Sequence, residues 1–409
     1  MGLLGSIGQK LISFDQSRQP RPQRKALYLI CEPGWPNYGD ELIAREWLRY
    51  ISSIDPDLPV ILDCNRPGSA AAILYGIHKN LVCVDTIARL TFENEFVKGN
   101  HNLESVSEIA FAVRRALDWQ GGNPHYASGV KLLEDAIAGV HYLGGGYLNG
   151  TWKPNLARLE LGRWATDHGI PAIATGLGLM PLSKDDLSYV NAAFESFDYV
   201  GVRDADTYDA LNGVRNLRLD VDDCFINGLE DCIQTDASEL LPEYMVCVQH
   251  EFCCDSSLVF DAVDRTLKAW GVKPGIDLVG VVECNPIIDR YIYDYLIGRG
   301  NSLRFYSTLE LLSEGLPVRC DQKWISSRYH PHLIASSFGC SGAFINVDEE
   351  YYPIKQNAVL RMGSRWNEIS LESIPETPGF GFEDLDSRNR YRDRIRSSVS
   401  DFYKRILDC

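Results

Sequence analysis

From Lys25 onward the chain alternates short apolar runs with stretches whose apolar residues recur three and four positions apart. Ala26 to Cys31 is a compact apolar run and predicts a strand. The segment Asp40 to Ile54 places Leu42, Ile43, Trp47, Leu48 and Ile51 on one helical face, and Val60 to Cys64 returns to strand character. The same rhythm predicts strands at Leu81–Val84, Gly139–Leu143, Pro171–Thr175 and Tyr199–Arg203, with helices at Val106–Trp119 and Leu156–His168. Strands joined by helices are most simply parallel, with helices covering both faces of the sheet. The polar stretch Arg89 to Glu104 breaks the rhythm and reads as a loop or lid.

The acidic, weakly periodic stretch Asn227 to Leu241 suits a connection between domains. After it, strands are predicted at Tyr244–Gln249, Asp277–Cys284, Leu303–Tyr306, Val318–Cys320, Trp324–Ser327 and Ala343–Val347. Helices are predicted at Leu258–Trp270, Ile287–Ile297, Leu309–Glu314 and His332–Phe338. The expected fold is α/β: two doubly wound Rossmann-like domains facing a cleft. Residues 1–24 form a tail, 25–230 the first domain, 242–370 the second, and 371–409 a linker and helix that pack back on the first domain.

Composition narrows the function. The chain has 409 residues, 56 acidic against 40 basic, and a formal net charge of −16. That field repels a phosphate backbone, so nucleic acid is not expected as a partner, and any anionic small substrate needs a local basic site. No apolar run is long enough to span a bilayer and no secretory signal pattern is present, so a cytoplasmic location is expected. The start Met1-Gly2-Leu3-Leu4-Gly5-Ser6, followed by Arg18, Arg21 and Arg24, admits peripheral contact with an anionic membrane face, beside the plainer reading of a frayed terminus. The 12 cysteines are scattered without a CxxC pair or zinc-ligand spacing. They are expected to be reduced and mostly buried, and no metal site is expected.

In open parallel sheets ligands bind beyond the carboxyl ends of the strands, so chemistry is sought in the loops that follow them. The loop Gly34-Trp35-Pro36-Asn37-Tyr38-Gly39-Asp40 offers Asn37 and Asp40 as caps of the next helix. Leu143 to Gly150 carries the triplet Gly144-Gly145-Gly146 and then Asn149, with neither a dinucleotide fingerprint nor a Walker lysine. Gly176 and Gly178 follow the next strand. Arg203 and Arg328 each end a strand just before a helix, where bidentate guanidinium groups and helix N-termini together suit an anion. The plainer reading pairs each arginine with a neighbouring carboxylate.

Asn37-x-Gly39-Asp40, the glycine triplet, Gly176-x-Gly178, Val202-Arg203-Asp204, Asp220-x-Asp222 and Ser327-Arg328-Tyr329-His330, with Lys355 downstream, together resemble the polysaccharide pyruvyl transferase family. The resemblance runs from about Lys25 to Gly363. It implies a GT-B-like fold, phosphoenolpyruvate as donor, and a glycan or lipid-linked saccharide as acceptor that becomes a cyclic pyruvate ketal. Phosphoenolpyruvate is a co-substrate, and no cofactor is implied. Carried over by position, the donor-site basic residues fall on Arg203, Arg328 and His330. Tyr329 stands where many relatives have leucine, and Gly176 and Lys355 complete the donor set.

The chemistry agrees with those residue types. Two arginines can hold the carboxylate and the phosphate, and His330, with a reference pKa of about 6.5, can supply the proton that the methylene carbon takes. His332 reads as a packing or helix-start residue. Asn37, Asp40, Gly145, Gly146 and Asn149 are the acceptor-side candidates. Two rivals remain: a nucleotide-sugar glycosyltransferase of the same architecture, for which Glu283 is the nearest candidate ribose ligand, and a non-catalytic glycan-binding protein.

Overall fold

The computed structural model describes residues 24–92, 105–118, 129–130, 133, 137–234, 241–251, 253, 255–349 and 351–408. The segment read as a tail with membrane contact, most of the stretch read as a lid, and residues 235–240 of the interdomain connection lie outside the described residues.

Seven strands form the first sheet: β1 (Ala26–Ile30), β2 (Val60–Asp63), β3 (Leu81–Val84), β4 (Ile137–Tyr142), β5 (Ala172–Leu177), β6 (Tyr199–Val202) and β7 (Leu217–Leu219). They lie in the order β3-β2-β1-β4-β5-β6-β7, and every pair is parallel. The second sheet contains β8 (Tyr244–Cys247), β9 (Leu278–Val282), β10 (Ser302–Tyr306), β11 (Lys323–Ser326), β12 (Ser341–Ile345) and β13 (Asn367–Ile369). Its order is β10-β9-β8-β11-β12-β13, again parallel. Central strands such as β1, β4 and β5 are buried at every residue. A sheet covered on both faces needs continuous rather than alternating apolar runs, as the sequence shows there.

In each sheet the strand order reverses at the first strand, between β1 and β4 and between β8 and β11. Crevices open beyond the carboxyl ends of the strands at these two switch points, and the domains face one another across them. Five helices matter for the site: α1 (Tyr38–Ile54), α2 (Ala205–Ala210), α3 (Tyr329–Ser337), α4 (Tyr352–Met362) and α5 (Ser387–Leu407). The domains touch directly at the cleft. The Tyr38 N–H donates to the Cys284 carbonyl at 2.8 Å, and the Arg361 guanidinium donates to the Arg203 carbonyl at 3.1 Å.

Helix α5 lies on the first sheet, where Phe402 and Ile406 fill the space above Gly139. Its Tyr403 hydroxyl lies 3.0 Å from His141 Nδ1, and its Tyr391 hydroxyl donates to the Met362 carbonyl of the second domain at 2.6 Å. The last helix thus ties both domains together. Among the described residues no helix is long and apolar enough to cross a membrane.

Several local expectations need correction. Val318–Cys320 is not a strand; Leu316 makes only an isolated bridge to Ile233, and the apolar character there serves burial beneath the interdomain connection. The helix expected from Ile287 begins at Tyr291, because Ile287 takes a positive φ of 73° that no helix accommodates. Arg89 to Phe92 belongs to a helix, Thr86–Phe92, rather than to a loop. The helix expected over Leu156–His168 is interrupted at Arg158. Helix α3 starts at Tyr329, earlier than its apolar periodicity indicates, with Arg328 as its N-cap residue.

Candidate active site

Both switch-point crevices open into one cavity of about 670 Å³. The first domain contributes the loops after β1 and β4 and the strand end at Arg203; the second contributes the loop after β9, the start of α3 and the start of α4. The domains approach closely at Gly39, where an added Cβ would fall 2.0 Å from Nδ1 of His330. Only glycine admits the imidazole of the opposite domain at that point.

Two sets of side chains line the cavity. The first is cationic: Arg203, Arg328, His330 and Lys355 all face it. Arg203 donates to Asp222 at 2.6 Å and stacks over the Tyr329 ring with its guanidinium carbon 4.3 Å from the centroid. His330 Nε2 lies 3.5 Å from the other Asp222 oxygen. Burial alone would raise the Asp222 carboxyl, but His330 and Arg203 override it and hold the group below the usual carboxylate range. Arg328 uses Nε and Nη2 on Asp289, at 3.0 and 2.5 Å to one oxygen. Asp289 also accepts from the N–H groups of Cys284 and Asn285, both at 3.0 Å. Each arginine is therefore both paired with a buried carboxylate and presented to the cavity.

Lys355 and Asp40 both face the cavity with their charged forms disfavoured by burial. Burial, with Arg203 and Arg328 nearby, drives the Lys355 ammonium well below its ordinary pKa, and no ion pair joins it to a carboxylate among the described residues. Its Nζ sits 3.6 Å from the Tyr351 ring centroid. Burial raises the Asp40 carboxyl to about 6, against the opposing pull of His330, Arg203 and Lys355. Asn37 donates to Asp40 at 2.9 Å. An anion placed beside Lys355 would favour its charged form, which burial and the two arginines disfavour.

The second set is aromatic and polar: Trp35, Phe92, Trp152, Asn65 and Asn155, with Glu32 held in an ion pair. Arg66 covers one face of Trp35 at 3.3 Å, while the ring remains 51% exposed. Glu32 pairs with the buried Arg158 and accepts from Asn65 at 2.9 Å. Asn155 donates to the Tyr147 carbonyl at 3.0 Å, and its own oxygen is buried without a partner. None of these residues was singled out from sequence. They come from the loop after β1 (Glu32, Trp35), the start of the segment after β2 (Asn65), a helix end (Phe92) and two short helical turns after β4 (Trp152, Asn155), without a common motif, whereas Asp222 sits in the recognisable Asp220-x-Asp222.

Of the residues expected at the site, Asn37, Asp40, Gly146, Arg203, Arg328, Tyr329, His330 and Lys355 line the cavity. Gly145, Asn149 and Gly176 are not lining residues but support those that are. Asn149 donates to the Gly146 carbonyl at 2.7 Å and caps the turn that follows. Gly145 and Gly176 have positive φ, and a Cβ on Gly176 would meet Asp223 at 2.6 Å. Asp223 accepts from Trp47, Thr175 and the Gly144 N–H, and burial raises its carboxyl to about 7. The two glycine loops are thus wrapped around a buried carboxyl. Glu283 turns away to accept from the Ile287 and Thr308 N–H groups.

His332 packs between Gln356 and Ser364, and burial drops its imidazole to about 3. Cys247, Cys284 and Asp289 bring ligand-type atoms within 4.8 Å of one another. Asp289 is already committed to Arg328, however, and burial raises the Cys247 thiol, so this cluster positions the arginine.

The family model described as polysaccharide pyruvyl transferase matches residues 37–238. Among curated proteins no sequence match is found. Among solved structures, a UDP-N-acetylglucosamine 2-epimerase aligns with a TM-score of 0.51 at 12% identity, covering 94% of this chain and 97% of its own. The UDP-GlcNAc 2-epimerase from Neisseria meningitidis bound to UDP-GlcNAc aligns with a TM-score of 0.50 at 9% identity, covering 93% of each chain. At these identities the likeness shows the fold alone, two Rossmann-like domains facing a cleft in the GT-B-like manner. The residues matched by the polysaccharide pyruvyl transferase model include Asp40, the glycine loops, Arg203 and Asp222, so the likeness to that family covers the first domain's side of the cavity.

Proposed function

We propose that this protein transfers the enolpyruvyl-derived group of phosphoenolpyruvate onto two hydroxyls of one sugar in a polysaccharide or lipid-linked glycan. The products are a cyclic pyruvate ketal and phosphate. The observation that carries this reading is the meeting of Arg203, Arg328, Lys355 and His330 from both domains in one cavity, opposite Asp40. Arg203 and His330 lie against Asp222 and Arg328 against Asp289, which leaves Lys355 without an ion-pair partner among the described residues. A small molecule with a carboxylate at one end and a phosphate at the other supplies that partner. Charge-assisted hydrogen bonds to it are worth roughly 1.5 to 3 kcal/mol each.

In this reading His330 gives a proton to the methylene carbon, which becomes the methyl group, and the adjacent carbon becomes electrophilic. The first sugar hydroxyl adds to that carbon and loses its proton to Asp40, whose carboxyl near 6 suits a base at neutral pH. The second hydroxyl displaces phosphate, which leaves with the remaining proton, while Arg203, Arg328 and Lys355 stabilise its charge. Asp222 sets the orientation of His330 and Arg203 together. The chemistry calls for no metal, since the cationic side chains supply the neutralisation, and chelators should leave turnover unchanged.

We place the reaction in the cytoplasm, where the donor is made, with a saccharide rather than nucleic acid as partner. The test is phosphate release. Incubation with phosphoenolpyruvate and glycan acceptors should release phosphate and yield an acid-labile ketal visible by mass spectrometry. Release of UDP from UDP-N-acetylglucosamine, with none of phosphate from phosphoenolpyruvate, would overturn the reading in favour of a nucleotide-sugar enzyme.

A further inference from the structure

The cationic side chains account for only part of the cavity. A volume of about 670 Å³ lies in the range that holds drug-sized ligands, roughly 300 to 1,000 Å³, and exceeds what a three-carbon acid phosphate and one sugar ring require. The remaining wall is built differently. Trp35, Phe92 and Trp152 are 51, 41 and 39% exposed, unusual for large aromatic side chains, and all three face the cavity. Arg66 occupies one face of Trp35 and so fixes the ring, leaving its other surface available.

Beside them stands an unmet hydrogen-bonding group. Asn155 is 5% exposed, its NH2 group is committed to Tyr147, and its carbonyl oxygen has no donor. A buried acceptor left alone costs about 1 to 3 kcal/mol, and a hydroxyl would satisfy it. Glu32 is neutralised by Arg158, so the pair offers no net charge. Aromatic faces attract the weakly positive C–H surface of a pyranose, and a neutral polar rim suits its hydroxyls.

We propose that this wall is a second sugar subsite, so that the acceptor is held through at least two sugar units, only one of which reacts. The inference rests on the pyruvyl transfer reading for the location of the reacting sugar beside Asp40. The chain after β1 makes the two positions adjacent, since its loop carries Trp35 into the aromatic wall and leads at once to Asn37 and Asp40 at the start of α1, beside the cationic one.

The experiment is a binding titration followed by saturation-transfer NMR, with phosphoenolpyruvate present. The probes are methyl glycosides of glucose, galactose, mannose and N-acetylglucosamine, and disaccharides built from the same sugars. At least one disaccharide should bind ten or more times tighter than the methyl glycoside of either of its units. Trp152→Ala and Trp35→Ala should each reduce that preference to less than threefold, Trp152→Phe should restore most of it, and Asn155→Leu should weaken it. Thermal unfolding with phosphoenolpyruvate alone serves as the control for folding and for the donor site in every variant.

Monosaccharides that bind as tightly as disaccharides, a preference that survives both tryptophan substitutions, or no saccharide binding at all would overturn the subsite. Loss of the phosphoenolpyruvate response in wild-type protein, with the tryptophan-dependent preference intact, would instead sink the donor assignment and leave the subsite standing.

Discussion

The two walls of the cavity solve recognition by opposite means. The cationic wall concentrates Arg203, Arg328, His330 and Lys355 and holds two of them with buried aspartates, so its geometry is fixed before any ligand arrives. The aromatic wall presents Trp35, Phe92 and Trp152, with Glu32 paired to Arg158, Arg66 laid on one face of Trp35, and one unmet acceptor at Asn155. A donor with two anionic ends needs the first, and a neutral hydroxylated ring needs the second. The difference teaches that one cleft in an acidic protein can bind an anion locally without becoming an anion sink overall, because Arg203, Arg328, His330 and Lys355 are gathered on one wall.

Four substitutions sharpen that contrast. The largest effect is expected from His330→Ala, which removes the proposed proton donor and should lower turnover by about a hundred to ten thousand fold while phosphoenolpyruvate still binds. Single-turnover phosphate release with and without acceptor checks it, and unchanged turnover would remove His330 from the chemistry. Next is Arg328→Ala, for which loss of one charge-assisted contact predicts donor affinity roughly 10- to 100-fold weaker by calorimetry. An unaffected affinity would return Arg328 to a purely structural partner of Asp289.

Asp40→Asn should act more narrowly. If Asp40 is the base, wild-type activity falls as pH drops through about 6, where its carboxyl takes up a proton, and the asparagine variant is slow but lacks that acid limb. An acid limb that survives the substitution belongs to another group. The smallest effect concerns Lys355. Burial and two arginines disfavour its charged form, and a bound anion favours it, so donor binding draws in a proton. Affinity for phosphoenolpyruvate should therefore weaken as pH rises above the lowered pKa of the free protein, by at most about tenfold per pH unit. Lys355→Met should flatten that slope, and calorimetry in buffers of different ionisation enthalpy reads the proton directly.

The sequence made one wall legible and left the other hidden for a physical reason. Arg203 and Arg328 follow strands and precede helices, and His330 stands in the first turn of α3, positions that strand and helix periodicity locate, and their residue types suit an anion. Trp35, Phe92, Trp152 and Asn155 lie in separate connections or at a helix end, and a lone aromatic in a chain with 11% aromatic residues reads as core. Long buried strands such as β1 and β4 announced themselves as apolar runs, while the edge strands β7 and β13 are three residues each with exposed polar positions. Val318 misled because burial under a connection gives the same apolar run as a strand. Asp289 was invisible: it sits in an irregular turn whose purpose is to grip an arginine distant in sequence.

The most direct test is thermal unfolding of the wild type and Arg328→Ala with phosphoenolpyruvate and, separately, with UDP-N-acetylglucosamine. At ten times the dissociation constant a ligand adds about 1.4 kcal/mol, which for a chain of 409 residues is a rise of roughly 1.5 to 2 °C in the unfolding midpoint. The account predicts that rise with phosphoenolpyruvate in the wild type and its disappearance in Arg328→Ala. A rise with the nucleotide sugar alone would contradict it.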